Sequence, residues 1–246
     1  MTIRILVNGA QGNMGQQTIR ALSALTDEFT LVGATGKNHD LAQEIKKNQA
    51  EVVIDFTNAA VVFDNAQTII AAGAHPVIGT SGLVKEQIQQ LQQRCLELKL
   101  GGIIAPNFSL GAVLMMKHAA DIVKYFPSVE IIEMHHNGKL DSPSGTALRT
   151  AELMAAQRDS HQAHSLKNKR ETIPGARGAT YEQIPIHAVR LPGLIASQQV
   201  IFGGLGETLT IRHDTIDRQC FMSGVILACK KVLELDKLVC GLESVL

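Results

Sequence analysis

The 246 residues contain no tryptophan, and aromatic residues make up only 4%. The base-stacking surface on which single-stranded nucleic-acid binders rely is therefore missing. Neither sign of charge prevails, since Lys+Arg and Asp+Glu both number 23, so there is no basic footprint for nucleic acid. No apolar run reaches the roughly 18 residues of a membrane span, and a strand-like run starts at Ile3, so neither a membrane span nor a signal peptide is expected. The expectation is a cytoplasmic chain with no membrane segment. The four cysteines, Cys95, Cys220, Cys229 and Cys240, are scattered. They read as buried thiols of a reducing compartment, and neither a disulfide framework nor a zinc site is expected. Internal repeats and low-complexity segments are also absent.

What is present is a good supply of core. Hydrophobic residues reach 45% and charged residues 19%, enough for one large domain or two modest ones. Residues 3–8 are a short apolar run of the kind that forms a buried parallel strand. Gly9, Ala10, Gln11, Gly12, Asn13, Met14 and Gly15 follow at once, and then a helical pattern through Ile19, Leu22 and Leu25. Glycine at 9 permits a tight turn, and at 12 a close approach of backbone to ligand. Glycine at 15 permits packing of helix on strand, so the loop fits a pyrophosphate at a helix N-terminus. The spacing is GxxGxxG rather than GxGxxG, and the strand before it and helix after it carry the reading. A glycine-rich turn without a ligand is the alternative.

Residues 29–35 form the next strand. Its tip, Thr35-Gly36-Lys37, has no carboxylate to bind ribose hydroxyls before Asp40. Lys37 would suit a 2′-phosphate, so NADPH is expected to serve at least as well as NADH; the alternative is a solvated surface lysine. Strands at 52–56, 75–79 and 102–105 alternate with helices at 58–72, capped by Asn58, and at 85–98. Such alternation implies a parallel sheet with helices on both faces and ligands at the carboxyl ends of its strands. Phe56 and Thr57, Gly79, Thr80 and Ser81, and Ala105, Pro106, Asn107 and Phe108, are accordingly further candidate cofactor contacts.

Beyond Asn107 the pattern changes. A helix from Leu110 to about Tyr125 leads to a strand at 129–134 and a second helix through Met154. A polar, basic loop at 157–180 carries Lys167, Lys169, Arg170 and Arg177. Runs at 184–190, 197–202 and 207–212 are strand-like with no helix between them, and the last helix is expected from Arg218 to about Leu235. The fold class is therefore α/β: a Rossmann-like parallel-sheet domain at 1–107 and 219–246, plus a smaller α+β domain at 108–218 with a mixed, open sheet. The open face and edges of that sheet invite assembly with other subunits.

The stretch 133–146 concentrates reactive groups: His135 and His136, the ammonium of Lys139, one carboxylate in Asp141, and a helix start at Ser144. A cation beside a helix N-terminus makes an anion site. The two histidines are the groups that exchange protons near neutral pH, and in extended chain they point to opposite faces, which gives them different tasks. No further ligand stands at metal-like spacing, so no metal is expected. The plainer reading is a polar strand end, an Asn137-Gly138 turn and an ordinary helix entry.

The pattern Glu-x-His-His-x-x-Lys-x-Asp-x-Pro-Ser-Gly-Thr-Ala at 133–147 is similar to the signature of the 4-hydroxy-tetrahydrodipicolinate reductase (dihydrodipicolinate reductase) family. The stretches at 9–15, 54–57, 77–82 and 107–109 fall at that family's other landmarks in order, and the likeness covers essentially the whole chain. It implies NADPH- or NADH-dependent reduction of 4-hydroxy-tetrahydrodipicolinate to tetrahydrodipicolinate with loss of water, on the diaminopimelate route to lysine. It also implies a small cyclic dicarboxylate substrate and, together with the open strand edges, a homotetramer. By resemblance His135 is the proton donor or acceptor, Lys139 a proton donor, and His136 a substrate contact. Gly145 and Thr146 would be the backbone cradle of a carboxylate. Arg218 falls where the family has another cation, though the match there is poor.

Two departures stand out. Gly36-Lys37 replaces the acidic-then-basic pair of many members, which argues against a strong NADH preference. The segment between the second strand and Val52 is short, implying a missing piece of sheet or helix. Rival readings are another two-domain NAD(P)-dependent oxidoreductase and a non-catalytic NADPH sensor. A thiol-dependent aldehyde dehydrogenase fits poorly, because Cys95 lies deep in a helix and the other cysteines follow residue 219.

Overall fold

The computed structural model describes residues 2–158 and 170–246. In its first stretch β1 (Ile3–Asn8), α1 (Asn13–Ser23), β2 (Phe29–Thr35), α2 (Leu41–Asn48) and β3 (Val52–Asp55) alternate. They are followed by α3 (Val62–Ala71), β4 (His75–Ile78), α4 (Lys85–Leu98) and β5 (Gly102–Ile104). Then come α5 (Leu110–Ile122), β6 (Ser128–His135), α6 (Gly145–Gln157) and β7 (Ala179–Tyr181). The chain ends through β8 (Ile184–Arg190), β9 (Ala196–Gly204), β10 (Glu207–Thr215), α7 (Met222–Lys231) and β11 (Leu238–Cys240). It divides into two compact units, Met1–Ser109 with Gln219–Leu246, and Leu110–Arg218.

In the first unit, the described strands form a six-stranded sheet in the order β11-β5-β4-β3-β1-β2, every pair parallel. From β2 the chain crosses back past β1 to reach β3. That reversal opens a crevice at the carboxyl ends of β1 and β3, where α/β sheets take their ligands. The strands are apolar on both faces because helices cover both. Leu6, Val53, Ile78 and Ile104 pack in one cluster with Ile45, Ile69 and Leu91 of the helices.

In the second unit, β10-β9-β6-β8-β7 form a mixed sheet: β6 runs parallel to β8 and antiparallel to β9. One face is apolar, with Val129, Ile131, Ile186, Val200 and Phe202 packed against Ala119 of α5 and Ala147, Ala151 and Met154 of α6. This alternation turns Glu133 and His135 to the helix side of β6, in step with Val129 and Ile131.

The α/β class with a parallel sheet and a second, mixed sheet is as expected. The short segment after β2 holds one helix, α2, which Asp40 caps by accepting from Gln43 N at 3.0 Å. Four details differ. Asn58 does not start α3: its side chain accepts from Ala60 N at 3.0 Å and its carbonyl from Val61 and Val62 N. A turn is thereby inserted before the helix begins at Val62. The helix expected from Arg218 is divided into a 3-10 turn at Arg218–Phe221, then α7, then a second turn at Val232–Glu234. β7 and β11, at three residues each, are too short to have a period of their own. Finally, Cys220 and Cys240 are half-buried, so only Cys95 and Cys229 are the buried thiols expected. Of the loop expected at 157–180, residues 159–169, including Lys167 and Lys169, lie outside the described residues.

Candidate functional site

Two separate sets of residues are built by the two units. In the first unit a cavity of about 460 Å³ lies at the carboxyl ends of β1 and β3, lined among others by Gly9, Gln11, Gly12, Lys37 and Asn65. Its floor is organised by Asp55, whose side chain is wholly buried. One carboxylate oxygen accepts from Thr57 N (3.1 Å), Thr57 Oγ1 (2.7 Å) and Thr80 Oγ1 (2.6 Å). The other accepts from Asn8 Nδ2 and Asn65 Nδ2, both at 2.9 Å. Five neutral donors thus tie together the tips of β1, β3 and β4 and the first turns of α3. Thr35 joins through Asn8, donating to its Oδ1 at 3.0 Å.

The glycine loop hangs from the same frame. Gly9 N and Ala10 N both donate to Thr35 O at 3.0 Å, and Gly12 stands at the N-cap of α1. Gly9 has φ +83, and a Cβ there would lie 2.3 Å from Phe56 O, so the fold itself demands glycine. At Gly12 a Cβ would come no closer than 3.4 Å, to Gly9 O. Nothing in the protein requires glycine at 12. Room is left there on the cavity side, as an approaching pyrophosphate needs.

Of the candidate cofactor contacts, Gly9, Gln11, Gly12, Lys37, Phe56 and Thr57 line the cavity, whereas Ala10, Asn13, Met14, Gly79, Thr80, Ser81, Ala105, Pro106, Asn107 and Phe108 lie outside its lining. Thr80 is spent on Asp55. Phe108 is buried edge-to-face on Phe56, with ring centroids 5.7 Å apart, and Ala105 is buried too, so neither offers its side chain to a ligand. Lys37 is exposed and has no ion-pair partner among the described residues.

The second set gathers at the end of β6. The fully buried Glu133 carboxylate accepts from His135 Nδ1 (2.6 Å) and Ser144 N (3.1 Å). It also takes a two-pronged bond from Arg190, with Nη1 at 2.8 Å from one oxygen and Nη2 at 2.7 Å from the other. An ionised carboxylate only accepts, so His135 carries a proton on Nδ1 and its Nε2 presents a lone pair. Burial is the main cause that pulls the His135 pKa below the usual imidazole range. The bond and charge of Glu133 oppose it, and the Lys139 and Arg190 cations add to it. Lys139 Nζ donates to both oxygens of Asp141, at 2.6 and 2.8 Å, and holds that carboxyl below its ordinary range.

Ser144 caps α6, its Oγ accepting from Ala147 N at 3.2 Å. Gly145 is exposed and Thr146 half-buried at the first turn of that helix. His136 is exposed, beyond the end of β6, in the turn closed by Lys139 N donating to His136 O at 3.1 Å. The structure therefore brings His135, Lys139 and the start of α6 onto one short frame. Sequence reading missed what holds that frame together, Glu133 and Arg190. Glu133 was visible as the first letter of the motif. Arg190 closed a β-strand 57 residues on, and nothing local pointed to it. Asp55 was missed likewise, although it stood in a stretch already singled out. Among the described residues no group of His, Cys, Asp and Glu could hold a metal ion, and no helix is long and apolar enough to cross a membrane.

Residues 3–108 match the family profile "Dihydrodipicolinate reductase, N-terminus", and residues 111–246 match "Dihydrodipicolinate reductase, C-terminus". This chain belongs to the dihydrodipicolinate reductase family. Relatives named 4-hydroxy-tetrahydrodipicolinate reductase support the assignment over full length. One from Coxiella burnetii (strain RSA 493 / Nine Mile phase I) is 52% identical over 246 residues, covering 100% of both chains. One from Legionella pneumophila (strain Lens) is 52% identical over 249 residues, again covering 100% of both. Among solved structures, the dipicolinate-bound dihydrodipicolinate reductase from Paenisporosarcina sp. TG-14 superposes with TM-score 0.92. It is 43% identical, with 100% of each chain covered. A probable dehydrogenase from Thermotoga maritima shares the fold at TM-score 0.67 with 10% identity, covering 98% of this chain and 92% of that one. Membership in the family rests on both units and not on the glycine loop alone.

Proposed function

We propose that this chain reduces 4-hydroxy-tetrahydrodipicolinate to tetrahydrodipicolinate, with loss of water, on the diaminopimelate route to lysine in the cytoplasm. The observation that carries the reading is the frame at the end of β6. An oriented imidazole and an ammonium stand on it beside the start of a helix, in a chain 52% identical over its full length to reductases of that name. In this reading residues 1–107 and 219–246 are the dinucleotide-binding domain, and 108–218 bind substrate and assemble the oligomer, a homotetramer.

The first unit fits a nicotinamide dinucleotide: the cavity sits at the strand reversal, and Gly12 leaves open the space that a side chain would fill. Gly9, Gln11 and Gly12 would hold the pyrophosphate, with Ala10, Asn13 and Met14 completing the loop. The tips at 79–81 and 105–108 would serve the nicotinamide end through their backbone. Exposed Lys37 meets a 2′-phosphate better than a bare ribose, so NADPH serves at least as well as NADH. When bound, the reduced nicotinamide supplies a hydride.

The second unit supplies the rest. The substrate is a dianion. Gly145 and Thr146, at the positive end of the 13-residue helix α6, cradle one carboxylate, and the Lys139 ammonium balances charge that builds up in the transition state. His135 exchanges a proton at Nε2 while Glu133 keeps its Nδ1–H in place, and Lys139 donates a proton from Nζ. His136, exposed on the adjacent turn, helps place the substrate.

The test is NADPH oxidation with freshly generated substrate, using His135→Gln, Lys139→Met and His136→Gln. Loss of a proton-transfer group depresses kcat by about 10²–10⁴-fold, whereas loss of a placement contact raises KM. A purified chain that binds NADPH and never oxidises it would be a sensor instead. Near-normal kcat in both His135→Gln and Lys139→Met would return the stretch to a polar strand end.

A further inference from the structure

Arg190 ends β8 directly beside His135, its register partner on β6. Its guanidinium makes four bonds. Nη1 reaches one oxygen of Glu133 at 2.8 Å and Val189 O at 2.8 Å; Nη2 reaches the other oxygen at 2.7 Å and Asp141 O at 2.8 Å. Each Glu133 oxygen thereby receives two donors, Arg190 Nη1 with His135 Nδ1 on one, and Arg190 Nη2 with Ser144 N on the other. A carboxylate offers about four acceptor sites, and here all are taken. Glu133 has no free position at which to accept a proton from the imidazole or to turn away from it.

We propose that Arg190 is a positioning residue for the reaction: forked onto Glu133 and tied to the Asp141 carbonyl, it keeps His135 in the tautomer with its lone pair on Nε2 and fixes the turn that carries Lys139. The proposal rests on the reading of His135 as a proton-transfer group. Two features set this arrangement apart from a buried ion pair that merely contributes stability. The oxygen that Arg190 holds through Nη1 is the one His135 uses, and the second prong reaches the backbone two residues beyond Lys139. A lysine could match the charge but not the planar fork.

The charged groups around His135 are Glu133 on its own strand, Arg190 from β8, and Lys139 with Asp141 on the turn that follows β6. Its register partner on β9 is Ala196, and α6 contributes the Ser144 N–H to the same carboxylate. Without Arg190 the Glu133 anion faces the imidazole with only Lys139 as a nearby cation, and the protonated imidazole is favoured. The sign is therefore upward: the His135 midpoint rises by about one pH unit or more, as expected for an opposite charge at contact distance.

The experiment combines nitrogen NMR of the labelled full chain with kinetics across pH for Arg190→Met, Arg190→Lys and His135→Gln. In the parent chain at neutral pH, His135 should show a protonated Nδ1 and a bare Nε2. In Arg190→Met, the midpoint and the acid limb of kcat/KM should rise together. Its kcat should fall about 10–100-fold, less than the roughly 10²–10⁴-fold of removing the imidazole. Arg190→Lys should return the limb most of the way but leave kcat lowered and the tautomers mixed. A folded Arg190→Met with unmoved nitrogen signals and an unmoved acid limb overturns the proposal. Where Arg190→Met fails to fold, Arg190→Lys decides: a wild-type tautomer with wild-type kcat overturns it, and a mixed tautomer with lowered kcat supports it. Near-normal kcat in His135→Gln would instead remove the reading beneath the proposal, whatever the nitrogen signals show.

Discussion

Two glycines three residues apart make opposite demands, and one methyl group on each separates fold from ligand. At Gly9, with φ +83, an added Cβ would stand 2.3 Å from Phe56 O and 2.6 Å from Phe56 C. A side chain in the left-handed region costs about 1–3 kcal/mol. Forcing two backbone segments apart costs about 1–3 kcal/mol more. Gly9→Ala should therefore lose about 2–6 kcal/mol, a fall in Tm of about 4–24 °C at about 2–4 °C per kcal/mol. At Gly12 the nearest atom is 3.4 Å away, and φ is −73, which any residue adopts. Gly12→Ala costs the fold only the poorer N-cap, about 1 kcal/mol or less. Its methyl group would stand where the pyrophosphate approaches, so NADPH affinity should fall about tenfold or more, equivalent to about 1.4 kcal/mol. Thermal melts with and without NADPH, together with calorimetric Kd values, measure both effects. A Gly12→Ala protein that melts as low as Gly9→Ala, or binds NADPH with unchanged Kd, would refute the reasoning.

Lys37→Glu should weaken NADPH by about 1.5–3 kcal/mol, the value of a charge-assisted contact, and NADH far less; equal losses for both cofactors would remove Lys37 from the site. Asp55→Asn replaces one acceptor oxygen with an amide that confronts at least two of the five donors, at about 1–3 kcal/mol each. Its Tm and cofactor affinity should fall together, and an unchanged melt would show the network to be dispensable. Because burial holds the His135 pKa below its unfolded value, the associated stability is present above the unfolded pKa and is lost as pH falls through the folded one. Acid melts of His135→Gln should accordingly be shallower than those of the parent chain between those two values. Sedimentation at micromolar concentration should find a tetramer, and a monomer would count against the assembly role of the second sheet.

Where periodicity and local chemistry agree, the chain is legible without coordinates. The parallel strands β1 to β5 announced themselves as apolar runs between amphipathic helices. Ser144 was readable as a cap, because capping is settled within four residues. Asn58 was not: its side chain serves Ala60 and its carbonyl starts a turn, and both outcomes use the same residue type. The three-residue strands β7 and β11 exist only because a neighbouring strand offers hydrogen bonds, which no local pattern encodes.

The amino-acid order by itself determined the class of fold, the glycine loop, and the triad of His135, Lys139 and a helix start, since each is written in contiguous residues. Tertiary structure alone decided what holds them. Asp55 gathers donors from four separate segments, and Glu133 meets Arg190 across 57 residues of chain. Even the need for glycine at 9 but not at 12 depends on where the end of β3 passes. Contacts of that kind arise from strand register and packing, which bring distant residues within hydrogen-bond reach only once the sheet has formed.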